Sequence, residues 1–338
     1  MKRFRILLLS GLVALAAMAV VLSACGDDDD SASSGSAIKL GFSAWPGWFP
    51  WQVAEDAGLF KEAGVNVELV WFEGYLDSIT ALASGQLDAN SQTLNDTIGS
   101  VAGGADQVIV LVNDNSSGND QIIVSSEIKT IQDLKGKKVG LEEGVVDHYL
   151  LLLGLKAAGM SPSDVEIVNL ETGAAASAFA AGQLDAVAVF APFTTQALKR
   201  QGSRTLFSSK DYPGAIPDHL VVSRKLADSR PADVQKLINA WYLTLDYIEK
   251  NPDEAIKIMA KRAGVSVEEY KSYGAGTTIF NIDDNKKAFT TGSNLTALDF
   301  AGKDISKFML EAKLIDKEVD LGKLFERKFI DGYSPNAK

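Results

Sequence analysis

The chain has 338 residues, 46% of them apolar, and a formal net charge of −11. At ~100–200 residues per domain this length fits about two domains, and the apolar content fits packed cores rather than a disordered chain. So acidic a chain is a poor candidate for nucleic-acid backbone binding, and its single cysteine, Cys25, excludes a disulfide framework and a multi-cysteine metal site.

Residues 1–25 read as a targeting segment. Lys2, Arg3 and Arg5 form a basic start, and Ile6–Ala24 is uncharged and rich in Leu, Val and Ala. An uncleaved membrane anchor is the rival reading. The ending Leu22-Ser23-Ala24-Cys25 resembles a bacterial lipobox, in which the cysteine is lipidated and becomes the first residue of the mature chain. Residues 26–36, with Asp27–Asp30 followed by Ser, Ala and Gly, have nothing to bury and read as a disordered tether.

From Ile38 the chain alternates strand and helix. Strands are predicted at 38–43, 65–72, 87–92 and 107–112, and helices at 49–57, 77–84 and 94–102. Residues 113–120 read as a polar loop and Gln121–Val124 as a strand crossing out of a first lobe. A second lobe repeats the plan, with strands at 138–141, 165–170 and 184–190 and helices at 145–158, 174–181 and 192–200. His219–Ser223 reads as the return crossing. The remainder is helical, clearly over 232–249 and 252–262 and weakly over 319–325. Alternation of this kind implies parallel βαβ units. The repeat is visible in the letters: Gly85-Gln86-Leu87-Asp88-Ala89 returns as Gly182-Gln183-Leu184-Asp185-Ala186. A unit of about a hundred residues is the size of a small α/β lobe. The expected architecture is two Rossmann-like lobes joined by two crossing strands, with C-terminal helices on lobe one. Lobe one comprises residues 37–124 and 221–338, and lobe two residues 125–220.

Ligands of open parallel sheets bind beyond the carboxyl ends of the strands. The residues there single out Trp45, Trp48, Glu73, Tyr75, Gln92, Asn115, Asn119, Asp120, Glu142 and Phe190 as candidate ligand contacts. Asp88 and Asp185, present in both halves, read as ties within the fold. The strand-end loops contain several carboxylates and no Lys or Arg. A buried anion needs a cationic partner or aligned donors, whereas tryptophan faces attract cations by ~0.5–2 kcal/mol each. A small cationic or amine-bearing solute is therefore expected.

The opening Gly-containing strand, the Trp-containing loop with its helix through Ala57-Gly58-Leu59-Phe60, and Ala81-Leu82 leading to Gly85-Gln86-Leu87-Asp88-Ala89 resemble the nitrate/sulfonate/taurine-binding proteins. These are type II solute receptors of bacterial ABC importers. The resemblance implies a bilobal receptor outside the cytoplasm, lipid-anchored through Cys25, which passes a small solute to a permease and its ATPase. A monomer with no cofactor is expected. It also implies an alternative ligand set: aliphatic sulfonates, taurine or nitrate. One departure matters. Relatives that bind taurine and sulfonates tend to carry Trp-Asp/Glu-Pro where this chain has Phe190-Ala191-Pro192. An enzyme on the same scaffold, resembling pyrimidine synthase, is the remaining alternative, but the cysteine-rich motif it needs is missing and no nucleophile elbow, His-Glu-x-x-His helix or phosphate loop is found.

Overall fold

The computed structural model describes residues 35–334. Cys25 and residues 26–34 of the tether expected over 26–36 lie outside them. Two mixed sheets organise the chain. In the first, β1 (Ile38–Phe42) runs parallel to β2 (Val67–Trp71) and β3 (Ala89–Thr93). The sheet continues through β4 (Gln107–Ser116). The second sheet contains β5 (Asp120–Val124), β6 (Lys138–Leu141), β7 (Glu166–Asn169), β8 (Ala186–Phe190) and β9 (Arg204–Ser208). The chain then returns to the first sheet as β10 (Pro217–Ser223) and adds a short edge, β11 (Thr277–Ile279). The spatial orders are β11-β4-β10-β3-β1-β2 and β7-β6-β8-β5-β9. Each sheet has a parallel trio, β2-β1-β3 or β7-β6-β8, next to one antiparallel strand that has just arrived from the other lobe.

The repeated pentapeptide explains why the trios match. Asp88 accepts from the amide of Lys39 at 3.0 Å, and Asp185 from that of Lys138 at 2.9 Å. Each carboxylate thus ties the end of one crossover to the start of the lobe's first strand. Leu87 packs on the bare backbone of Gly41, and Leu184 on that of Gly140; a β-carbon at either glycine would overlap the leucine Cδ1. Gly85 and Gly182 close the preceding helices at φ 77° and 79°, a region that costs glycine little.

The C-terminal helices build on the first lobe. Pro231–Lys250 and Pro252–Ala263 both begin with proline, whose fixed φ suits a first turn. They pack against the helix Pro50–Asp56, with the rings of Trp51 and Trp241 4.7 Å apart. Helix Leu298–Glu311 packs on helix Leu94–Ala102 and also reaches the second lobe. There Phe308 meets Tyr149 edge-on at 5.4 Å and Glu311 pairs with Lys156 at 2.7 Å.

Several predicted elements differ from those observed. β4 does not stop at Val112 but runs to Ser116, so Asn113, Asp114 and Asn115 are strand residues rather than loop. Their polarity mimics a loop, but β10 and β11 pair with them on either side. The first crossing is Ser117–Asn119, because residues 121–124 already belong to the second sheet. His219–Ser223 lies within the first sheet, so the return crossing precedes it. Residues 319–325 hold only a single 3₁₀ turn, Leu321–Lys323, whereas helices form at Ile282–Ala288 and Leu298–Glu311.

The glycine–leucine contact yields a test of the repeat. Gly140→Ala should cost ~1–3 kcal/mol in urea denaturation through overpacking. Adding Leu184→Ala removes the overlapping methyl, so the double variant should lose less than the sum of the two single losses.

Candidate functional site

The carboxyl ends of the two parallel trios face each other across the seam between the lobes. After β1 the chain turns tightly, with the Trp48 amide on the Trp45 carbonyl at 3.0 Å. The Trp45 indole donates to Asp114 Oδ1 at 2.9 Å, and Tyr270 donates its hydroxyl to the Pro46 carbonyl at 3.1 Å. Gly47 is required in this turn, since a β-carbon would collide with the Asp114 carboxyl. Tyr75 opens the helix Tyr75–Ala83, and its hydroxyl accepts from the Thr93 amide at 2.9 Å. Thr93 caps the next helix and donates to Asp96 at 2.7 Å.

These residues close on a tight cavity of about 10 Å³ lined by Trp45, Trp48, Tyr75, Thr93, Asp120, Val146, Phe190 and Asp218. Four aromatic rings close a circuit around it. Trp45–Trp48, Trp48–Tyr75, Tyr75–Phe190 and Phe190–Trp45 have centroids 6.4, 5.3, 6.1 and 6.3 Å apart. Three rings come from the first lobe and Phe190 from the end of β8 in the second.

Acidic groups crowd the same place. Asp96, Asp114, Asp120, Glu142, Asp147 and Asp218 are all buried. Among the described residues none of them takes part in an ion pair. One oxygen each of Asp114, Asp120, Asp147 and Asp218 has no hydrogen-bond donor. Burial, and then mutual repulsion, pushes the carboxyls toward their neutral forms. Asp96 and Asp120 rise to about 7 and Asp114 to about 8. Asp147 and Asp218 are raised well above the usual range, first by burial and then by neighbouring carboxylates. Asp114 and Asp218 lie side chain to side chain, a contact that is favourable when one of them carries a proton. Thr172 makes a similar demand: its hydroxyl contacts Glu142 at 3.1 Å and Asp147 at 3.0 Å, but it has one proton to donate.

Glu142 also joins the lobes. Its Oε1 accepts from the Leu76 amide at 3.1 Å, at the start of a first-lobe helix. Basic residues beside the strands lie elsewhere. Lys39 and Lys138 begin β1 and β6, at the opposite ends of the strands, and Arg224 follows β10 and pairs with Asp106 at 3.7 Å. Arg262 lies 3.7 Å over the face of Trp71.

Of the ten candidate contacts, Trp45, Trp48, Tyr75, Asp120 and Phe190 line the cavity, and Glu142 lies outside its lining, bonded to Leu76 and Thr172. Four lie elsewhere. Glu73 accepts from the Trp71 indole at 2.8 Å. Gln92 bonds Thr97 at 3.0 Å and belongs to a polar network within the first lobe. Asn115 bonds the Ser116 carbonyl beside edge strand β11. Asn119 pins the first crossing to Tyr273 and Thr277, both at 2.7 Å. Sequence reasoning missed Thr93, Val146 and Asp218. Asp218 has no local signal, because it reaches the site only through the pairing of β10 with Thr93 of β3.

Two mixed α/β lobes with a buried, aromatic, acidic cavity at their seam define a periplasmic-binding-protein fold. The chain belongs to the NMT1/THI5-like family, which it matches over residues 45–255. It is 26% identical over 217 residues to a binding protein of Brucella abortus, covering 62% of this chain and 66% of that one, a little under two thirds of that relative's length. A protein of Escherichia coli named for aliphatic sulfonate binding is 27% identical over 323 residues, 93% of each chain. The alkanesulfonate-binding protein SsuA of Xanthomonas axonopodis, solved with MOPS, superposes with a TM-score of 0.74 at 21% identity, covering 88% of this chain and 100% of that one.

The raised carboxyls make stability depend on pH with a definite sign. Their folded values lie above the unfolded value near 3.8, so between about pH 4 and 8 the folded form holds more protons. The stabilising effect of these protons is present at low pH and is lost as pH rises through 7 to 8. The melting temperature without ligand should therefore fall from pH 5 to pH 8. Asp120→Asn, which needs no proton, should flatten this slope by about one proton, ~1.4 kcal/mol per pH unit.

Proposed function

We propose that this protein is the solute-capturing receptor of an ABC importer and that it closes its two lobes over a small cationic or amine-bearing solute. One observation carries the ligand reading: Asp120 and Asp218 line the aromatic cavity, four further buried carboxyl groups lie near enough to repel charge there, and among the described residues no lysine or arginine pairs with any of the six. A cation there supplies the missing counter-charge and hydrogen-bond donors and lies against ring faces that attract positive charge. The Glu142–Leu76 bond supports the closing movement, since it exists only while the lobes are together.

The receptor role follows the family and the names of its relatives. It places the protein outside the cytoplasm, with a permease and its ATPase as partners. Lipid attachment at Cys25 extends this reading and rests on the lipobox alone. Membership of a family whose relatives are named as binding proteins supports a receptor over an enzyme.

A sulfonate or taurine is the second reading, favoured by the names of the relatives. The two readings differ in pH dependence. A cation competes with protons for the carboxylates, so its affinity rises from pH 5 to 8. A sulfonate would use protonated carboxyls as donors, so its affinity falls over the same range. Thermal unfolding against guanidinium, choline-like and polyamine compounds, and against taurine, alkanesulfonates and nitrate, at both pH values separates them. A cation at 100 times its dissociation constant should add ~2.7 kcal/mol. Stabilisation by sulfonates alone, strongest at pH 5, would sink the cationic reading.

A further inference from the structure

We propose that the ligand is a compact, planar cation of the guanidinium or amidinium class, carrying several N–H donors and no anionic group, stacked within the ring circuit of Trp45, Trp48, Tyr75 and Phe190 with its N–H groups on Asp120 and Asp218. The inference rests on the cationic reading and narrows it by shape, donors and charge. The circuit comes first. Successive rings 5.3–6.4 Å apart, tilted or edge-on to one another, leave only a tight space among them, which suits a compact cation and bars a bulky one. The closed cavity is only about 10 Å³, far below the ~300 Å³ at which drug-sized sites begin, so the lobes must part to admit the ion and only a compact charged head can be enclosed.

Hydrogen-bond demand then separates one cation from another. Asp120 and Asp218 are 2% and 1% exposed and both line the cavity. Oδ2 of Asp120 and Oδ2 of Asp218 both have no donor. A quaternary ammonium ion fits aromatic faces but has no N–H, and would leave both carboxylates desolvated and unbonded. Hydrogen bonds to charged groups contribute ~1.5–3 kcal/mol each, so the N–H-bearing cation is favoured by more than tenfold. A guanidinium or amidinium plane presents its donors at the edge and its faces to the rings, and both features are needed here.

The same inventory disfavours zwitterions once the carboxyls are ionised. The lining holds one unpartnered nitrogen donor, the Trp48 indole N–H. With Asp120 ionised above its value of about 7, that leaves place for one neutral acceptor, whereas a carboxylate or the three oxygens of a sulfonate would need protonated carboxyls as donors. Nor do the carboxylates form a metal site: among the described residues no three His, Cys, Asp or Glu side chains converge as ligands.

Calorimetric titration of the purified full chain at pH 8 tests this with five probes: methylguanidinium, acetamidinium, tetramethylammonium, guanidinoacetate and taurine. Methylguanidinium and acetamidinium should bind. Tetramethylammonium and guanidinoacetate should each bind at least ~10-fold more weakly than methylguanidinium, as expected for a lost charged hydrogen bond or an added repulsive charge. Asp218→Asn keeps the shape and should weaken methylguanidinium by a similar factor, with folding checked from its own melting curve. Tetramethylammonium binding as tightly as methylguanidinium would overturn the donor argument while leaving the cationic reading in place. Guanidinoacetate binding more tightly would overturn the exclusion of anionic groups. Taurine binding with no response to any cation would overturn the cationic reading itself, and with it this inference.

Discussion

Burial of carboxyl groups without a cation is the constraint on which this site depends. Removing a carboxylate from water is costly unless it is paired, and the protein answers in part by keeping these groups protonated. Asp96 and Asp120 near 7 and Asp114 near 8 would each be half-protonated close to neutral pH. Such a cluster is poised: a small gain in positive charge at its centre displaces protons and replaces them with stronger, charge-assisted bonds. The aromatic circuit reinforces this, because low polarity around the carboxyls both raises their affinity for protons and strengthens any cation contact.

The scaffold holds that cluster by contacts far from it. At the opposite ends of the strands, Asp88 and Asp185 fasten β3 and β8 to the starts of β1 and β6, and two leucines sit on two glycines. These contacts set the height at which each strand ends, and therefore where Trp45, Thr93 and Phe190 emerge. Duplicating them gives two platforms of the same design, and the chemistry differs between the lobes because only the strand-end residues differ. The first lobe supplies three rings and three of the six acids, Asp96, Asp114 and Asp218. The second supplies Phe190, Asp120 and the Glu142–Thr172–Asp147 group.

Besides the ring circuit, the lobes meet at several places. Asn119 holds the first crossing against Tyr273 and Thr277, Glu142 caps a first-lobe helix across the seam, and Lys156 and Tyr149 meet Glu311 and Phe308 at the edge. The edge ion pair is exposed, and pairs of that kind contribute little. The Glu142 bond is half-buried and uses a carboxylate of the acidic cluster. Under the proposed function, closure and ligand capture would be coupled through that cluster.

Much of this was legible in the residues. A pentapeptide repeated letter for letter, with strand and helix alternating between its copies, determined two βαβ lobes, because local periodicity and backbone preference dominate in such units. Trp45, Trp48, Tyr75, Asp120 and Phe190 could be placed at the site for the same reason: each falls at or beside the end of a strand whose position is a local property. Other features needed the tertiary structure. Asn113–Asn115 read as loop until pairing with β10 and β11 satisfied their backbone. Gln92 and Glu73 lie near strand ends but bond within the first lobe, since a strand's alternation and a neighbouring indole decide where a side chain points. Asp218 enters on a strand that has crossed from the second sheet, and its role comes from standing opposite Thr93 and beside Asp114. The sequence by itself determined the lobes and the aromatic half of the site, which depend on neighbours in the chain. Only the tertiary structure decided which acids share a cavity, because proximity between charges depends on sheet order and register, and the chain brings Asp96, Asp120 and Asp218 together from three distant stretches.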